Sequence, residues 1–329
     1  MRIDRFFYKL ECFLKKTQIS RRGFLKICFG SLLYFISNNL FMKAAFAKSD
    51  ISGGRVKKDI RGNYDLVLAE GEDPYQNTVI AVEKMGGMEK FVRKGDVVVV
   101  KPNIAWDRSP EQAANTNPSV VAAVIDMCYK AGAKRVNVFD VTCNEERRCY
   151  QNSGIAEAAE KSGAFVYYPD HWNVVKARFP YKSEMENWPV LRDAVQCDVF
   201  INVPVLKNHG LTRLTVSMKN LMGICSGTRG LIHMNIGEKL VDLTQFINPD
   251  LTVIDATRVL TSHGPSGGSL EDVVTLNKLI VGTDPVLSDA FACTLVNVDP
   301  MELPNIKAAA ARKVGETDIN KASILKVKV

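Results

Sequence analysis

The sequence predicts an α/β fold, a mostly parallel sheet flanked by helices, behind an N-terminal signal segment. Three observations carry this. Short apolar runs alternate with helix-period segments along most of the 329 residues. Val97-Val98-Val99-Val100 is wholly β-branched, the composition of a strand buried on both faces. Polar residues gather just past the strands, at Lys101 and Asn103, at Asp140, at Lys207 to His209 and at Asp255. Parallel sheets bind their ligands at those positions.

The first element is a targeting segment, residues 1–47. It holds nine Lys/Arg and two Asp/Glu, and so accounts for the whole formal charge of +7. The remainder carries 34 basic and 34 acidic residues, and a neutral body argues against a nucleic-acid partner. Ser20-Arg21-Arg22-Gly23-Phe24-Leu25-Lys26 resembles the twin-arginine translocation motif. The apolar run Ile27–Met42 follows, interrupted by Ser37, Asn38 and Asn39, and Ala45-Phe46-Ala47 supplies a small-x-small cleavage pattern after Lys43. That run is shorter than the ~20 residues of a comfortable membrane span. The expectation is export by the twin-arginine machinery to the periplasm or another extracytoplasmic space. Membrane contact would come only through an uncleaved signal.

Residues 48–63 read as a polar linker and residues 64–329 as a single α/β domain. Tyr64–Glu70 is a strand, and Asp73-Pro74 opens a helix that Gly86-Gly87 stops. The Val97–Val100 strand leads through a polar loop to Asn117-Pro118, which starts a helix reaching Lys130. Lys134–Val141, Gly163–Tyr168, Asp198–Val203, Leu251–Asp255 and Leu276–Val281 read as further strands, with Thr212–Ser217 a short one. Ser153–Lys161, Ile236–Ile247, the segment from Asp284-Pro285 to Val296, and Pro304–Lys313 read as helices. Pro169–Pro189, with His171, Trp172 and Trp188, reads as irregular and aromatic, a lid or a small insertion.

Six cysteines lie beyond the signal, and none forms a C-x-x-C pair. Cys128 and Cys293 sit in apolar helical patterns and read as core residues. Cys143 and Cys149 flank a charged loop. They could pair, bind metal or stay free, with a disulfide expected in an oxidising compartment.

The chemistry concentrates in Val203–Gly223. Lys207, Asn208, His209, Arg213, Lys219 and Asn220 fall within fourteen residues, and no Asp or Glu occurs between Asp198 and Glu238. Such a stretch predicts an electropositive pocket for a small anionic ligand. Lys101, Lys207, His209 and Lys219 are the candidate catalytic residues, and Asn103, Asn208, Asn220, Gly267 and Gly268 the candidate ligand-binding ones. The last two sit in a glycine-rich loop, Gly264-Pro265-Ser266-Gly267-Gly268, whose backbone donors suit a phosphate or carboxylate. His209, His233, Asp140 and Asp255 could build a His/carboxylate metal site, although no short ligand spacing links them. The alternative role for the histidines is anion binding or acid/base work. No nucleophile elbow, Walker or Rossmann pattern is present.

Several pieces together resemble the domain-of-unknown-function family 362. They are Lys101-Pro102-Asn103, Thr116-Asn117-Pro118, Ala131-Gly132-Ala133, Pro204-Val205-Leu206-Lys207-Asn208-His209, Lys219-Asn220-Leu221-Met222-Gly223, His233, Gly264-Pro265 with Gly267, and Gly282-Thr283-Asp284-Pro285 with Asp289. They span about residues 97–315. Asn208 departs from the resemblance, which leads one to expect a small polar residue there, often Thr. Many relatives carry an added ferredoxin-like iron–sulfur module; this chain has no such cysteine set, so no iron–sulfur cluster is expected. The resemblance implies a site and leaves the reaction open. Two readings follow. One is an exported enzyme in which Lys101, Lys207 and Lys219 fix or polarise an acidic or carbonyl group and His209 or His233 moves protons. The other is a non-catalytic metal- or cofactor-binding or redox-accessory protein.

Overall fold

The computed structural model describes residues 50–329 apart from 58, 59, 171, 172 and 180. Residues 1–47, read as a twin-arginine signal, lie outside the described residues, as do His171 and Trp172.

The alternation of strand and helix becomes a long mixed sheet. Its elements, in chain order, begin with β1 (Leu66–Glu70), α1 (Pro74–Met85), β2 (Val97–Pro102), α2 (Pro118–Lys130) and β3 (Arg135–Val138). Next come α3 (Glu146–Asn152), α4 (Ile155–Lys161), β4 (Phe165–Val166), β5 (Val174–Arg178), β6 (Pro189–Leu191), α5 (Arg192–Gln196) and β7 (Val199–Val203). The second half holds β8 (Val205–His209), β9 (Arg213–Thr215), α6 (Ser217–Asn220), α7 (Ile236–Ile247) and β10 (Leu251–Leu260). It closes with β11 (Val273–Gly282), α8 (Pro285–Thr294), α9 (Pro304–Arg312) and β12 (Ile324–Lys328). The main sheet runs β12-β1-β11-β10-β7-β2-β3-β4. It is parallel throughout except at β11, which is antiparallel to both neighbours. The connection from β10 to β11 holds no α-helix, and β11 folds back as the antiparallel partner of β10.

Three helices start where an Asx-Pro pair predicts. The side chains of Asp73, Asn117 and Asp284 accept from the backbone N–H groups of Tyr75 (2.8 Å), Ser119 (3.0 Å) and Val286 (2.8 Å). Each also places proline in the first turn, where its missing N–H is harmless. The valines of β2 alternate between two cores. Val98 and Val100 pack with Val82, Val120 and Val124 from α1 and α2, while Val99 packs on the other face with Phe200, Leu240 and Ile247. Full burial of each such valine contributes about 1.5 kcal/mol or more, and both faces are covered, as the all-valine run predicts. Cys128 and Cys293 are core residues, as expected.

Four sequence expectations change. Pro204 bends the strand and does not end it: β7 pairs with β10 at Thr252, then β8 continues beside Asp255 and Leu260 of the same strand. Residues 53–55, read as linker, are tied to the body. Arg55 is buried, its guanidinium 2.6 Å from Asp250, and its backbone N–H donates to Phe246 at 2.7 Å. The segment at 169–189 is not wholly irregular: it holds β5, which pairs antiparallel with β6 at the segment's end. Cys143 and Cys149 are free thiols rather than a disulfide, because α3 begins between them and turns Cys149 into the core while Cys143 stays exposed.

Candidate functional site

The kink at Pro204 determines where the site forms. β2 and β7 run side by side until Pro102 faces Val203. Past that point β8 follows β10 and pairs on its other edge with β9, with Lys207 opposite Thr215 and His209 opposite Arg213. A cavity of about 620 Å³ is lined by the end of β2, by β8 and by the segments that follow them. Lys207 and His209 share one face of β8 through the two-residue strand period, and both line this cavity. Lys101 and Asn103 enter from β2, Lys219 and Asn220 from α6, and Arg229 and His233 from the turn before α7.

Lys101 is fully buried and fully engaged. Its ammonium lies 2.8 Å from Asp140 Oδ1 and donates to Pro102 O at 2.7 Å and Asn220 Oδ1 at 3.1 Å. Asp140 Oδ2 accepts the Ile104 N–H at 2.6 Å. A Cβ on Gly223 would collide with both Asp140 Oδ1 and Lys101 Nζ, so only glycine lets the chain pass this pair. Burial lowers the Lys101 pKa more than Asp140 raises it. Asn220 also donates to Lys101 O at 3.2 Å and Asn202 Oδ1 at 2.9 Å, so it braces the pair.

Lys207 and Lys219 are different. Lys207 Nζ donates to Ala114 O at 2.5 Å, with the Trp106 ring 6.0 Å away. Lys219 Nζ lies 3.5 Å from Met222 Sδ. The only carboxylate among the described lining residues is Asp140, already held by Lys101. Burial, then repulsion from Lys219, brings Lys207 down to about 7; burial, then Arg229, brings Lys219 down to about 8. His209 falls to about 3 through burial and the Lys219 charge, and His233 is lowered by the same two causes.

The two imidazoles stack, with centroids 5.9 Å apart. His209 Nδ1 accepts the Leu211 N–H at 3.1 Å, which puts its proton on Nε2. His233 Nδ1 faces the Gly230 carbonyl at 3.3 Å and therefore carries the proton, leaving Nε2 with a lone pair.

Asp289 positions this machinery from outside the cavity. From α8 it accepts the Ser217 N–H (2.7 Å), the Ser217 hydroxyl (2.5 Å), the Met218 N–H (3.2 Å) and Asn305 Nδ2 (3.2 Å). It thereby caps the four-residue helix that carries Lys219 and Asn220. Its own pKa is pushed up to about 7 by burial.

The cavity thus gathers Lys101, Asn103, Asp140, Lys207, His209, Lys219, Asn220 and His233. Asp255, Asn208, Gly267 and Gly268 fall elsewhere. Asp255 is buried under the start of α2, accepting from Asn117 N and Thr257 N and Oγ1. Asn208 faces the opposite side of β8 and accepts from Gly264 N at 3.1 Å. Gly267 and Gly268 offer their carbonyls to Arg108 and Gln112, so the loop contributes Gly264 and Pro265 to the cavity instead. The four-residue metal set is therefore not assembled. Among the described residues no group of three or more His, Cys, Asp or Glu is placed to hold a metal. Arg229 and Trp106 join the lining without having been singled out, and Cys143, read above as a disulfide or metal candidate, joins it too, because each comes from a loop whose path the strand pattern does not fix.

Residues 98–294 match the family model described as Domain of unknown function (DUF362). A thylakoid-associated protein of Synechocystis sp. is 28% identical over 244 residues, covering 69% of this chain and 71% of that one. Among solved structures, the lactate racemase apoprotein from Thermoanaerobacterium thermosaccharolyticum aligns with a TM-score of 0.46 at 12% identity, over 73% of this chain and 58% of that one. A Thermotoga maritima protein aligns at 0.40 and 11%, over 69% and 60%. This chain spans less than two thirds of either solved chain. The matched segment contains every lysine and histidine of the cavity and more than half of the sequence: the chain belongs to the DUF362 family.

Proposed function

We propose that the protein is an exported enzyme that binds a small organic anion in this cavity and moves a proton on it. One observation carries the reading: Lys207 and Lys219 share a cavity whose sole described carboxylate is spent on Lys101. Two cations under mutual repulsion leave the counter-charge to the ligand. Lys207, brought to about 7, exchanges its proton at physiological pH, and the neutral histidines supply one donor and one acceptor nitrogen. The export route rests on the Arg21-Arg22 motif.

Calorimetric titration with small carboxylates, paired with solvent-deuterium exchange at the carbon next to the carboxylate, tests this. Binding that vanishes in the Lys207→Met, Lys219→Met protein, with exchange only in the native one, is the expected outcome. Equal binding by the double variant would remove the anion site. Tight binding without any exchange would leave a binding protein. Export is checked by fractionation of the Arg21→Lys, Arg22→Lys chain, which should stay in the cytoplasm.

A further inference from the structure

Charge binding alone does not explain how deep Lys207 sits. It is 1% exposed, whereas Lys219 in the same cavity is half-buried. An ammonium so far from water, with no acid beside it, is an expensive way to attract an anion. A neutral amine in that place is a nucleophile. Its hydrogen bond to Ala114 O holds the head in one orientation against the Trp106 wall, and a rigid strand, β8, carries it. Two cations of different kind line the same cavity: Lys219, whose charge acts on Lys207, and Arg229, whose guanidinium donates to Thr142 O.

We propose that Lys207 condenses with the carbonyl of a 2-oxo acid to form a Schiff base, while Arg229 holds the substrate carboxylate. This rests on the anion-site reading above. The Nζ lone pair attacks the carbonyl carbon, and a proton shifts from nitrogen to oxygen to give the carbinolamine. The hydroxyl then leaves as water with a proton from the Lys219 ammonium, and the C=N bond forms as the C–O bond breaks. One water is released and no oxidant or reductant is consumed. Lys219 ends neutral and the iminium carries the charge. His209, with its proton on Nε2, is a neutral donor suited to the carbonyl oxygen. The iminium is an electron sink for the adjacent carbon, which is how an amine site would loosen a proton or a carboxylate there.

The test is reductive trapping. The full chain is incubated at pH 8 with pyruvate, 2-oxobutyrate or phenylpyruvate and sodium borohydride, then weighed intact and mapped by peptide mass. One reduced adduct per chain at Lys207 is expected, lost in Lys207→Arg. It should persist at Lys207, formed more slowly, in Lys219→Gln, which leaves the β8 packing untouched. Lactate, which has the charge but no carbonyl, should slow trapping without forming an adduct. An adduct confined to Lys219 or to exposed lysines such as Lys161 would overturn the assignment. Calorimetric binding of the 2-oxo acids without trapping would overturn the Schiff base while leaving the anion site standing. Neither binding nor trapping would remove both.

Discussion

His233 lies against His209 with ring planes 22° apart, and the two imidazoles carry their protons on opposite nitrogens. Burial and the Lys219 charge push both below the ordinary histidine range, His209 to about 3. At pH 6 His209 should therefore be neutral, with its hydrogen on Nε2. Nitrogen-15 NMR of the ring should show no titration of His209 above about pH 4. An imidazolium signal from His209 at pH 6 would contradict the burial argument.

The two unpaired lysines give ligand binding a pH signature. Their cationic forms attract the anion, so affinity should be greatest below about 7 and fall as pH rises through the Lys207 and Lys219 values of about 7 and 8. A bound anion raises both pKa values, so protons should be taken up on binding between pH 7 and 8, readable by calorimetry in buffers of different ionisation enthalpy. Stability of the ligand-free protein moves the other way. Above pH 7 and below the unfolded lysine value, the unfolded chain holds more protons than the folded one, so stability should rise with pH. Asp289, raised to about 7, and His209, lowered to about 3, work in opposite directions below pH 7 and do not disturb that window. Affinity that stays flat from pH 6 to 9 would refute the electrostatic account.

How much of this is legible in the sequence depends on whether local pattern or long-range contact decides. The Asx-Pro pairs at 73, 117 and 284 announce their helices because the cap is made within three residues. Lys101, Lys207, His209 and Lys219 stand out through the acid-free stretch and the strand-end position. Asp255 occupies the same kind of position, yet its partner, the Asn117 N–H, is 138 residues away, and nothing local separates a structural carboxylate from a catalytic one. Pro204 reads as a strand end because it lacks an N–H. The continuation depends on β10 being ten residues long, which only the fold reveals. The edge strand β12 escapes because its Lys326 and Lys328 alternate with Leu325 and Val327 after the last helix, where the pattern is short and half exposed.

The Lys101–Asp140 pair should behave as a buried ion pair. Replacing either partner alone, as Lys101→Met or Asp140→Leu, should cost roughly 3–5 kcal/mol, because the other charge stays sealed from water. The double replacement Lys101→Met, Asp140→Leu should recover much of that loss, and a urea double-mutant cycle measures the difference. Gly223→Ala should resemble the single variants, since its methyl group lands on both members of the pair. Strictly additive single losses would show that the two charges do not depend on each other.

Cys143 and Cys149 should differ sharply as thiols. Cys143 is exposed at the cavity, with Arg229 Nη2 3.6 Å from its sulfur; Cys149 is buried, its pKa pushed up to about 11 by burial. Iodoacetamide labelling read by peptide mass should therefore modify Cys143 quickly and Cys149 only on unfolding. Saturating carboxylate should slow the Cys143 reaction because that thiol lines the same cavity. Equal labelling of the two would mean that α3 does not hold Cys149 in the core.

Asp289 should couple α8 to the cavity. Four donors converge on its carboxylate, and two of them are the leading N–H groups of the helix that bears Lys219. Asp289→Asn keeps the size but turns one oxygen into a donor facing donors, for a loss of roughly 3 kcal/mol. If the role is positioning, the variant should also bind small carboxylates more weakly, and the upper of the two lysine titrations should shift as Lys219 moves. A variant that unfolds more easily but retains native affinity and native lysine titration would confine Asp289 to fold stability.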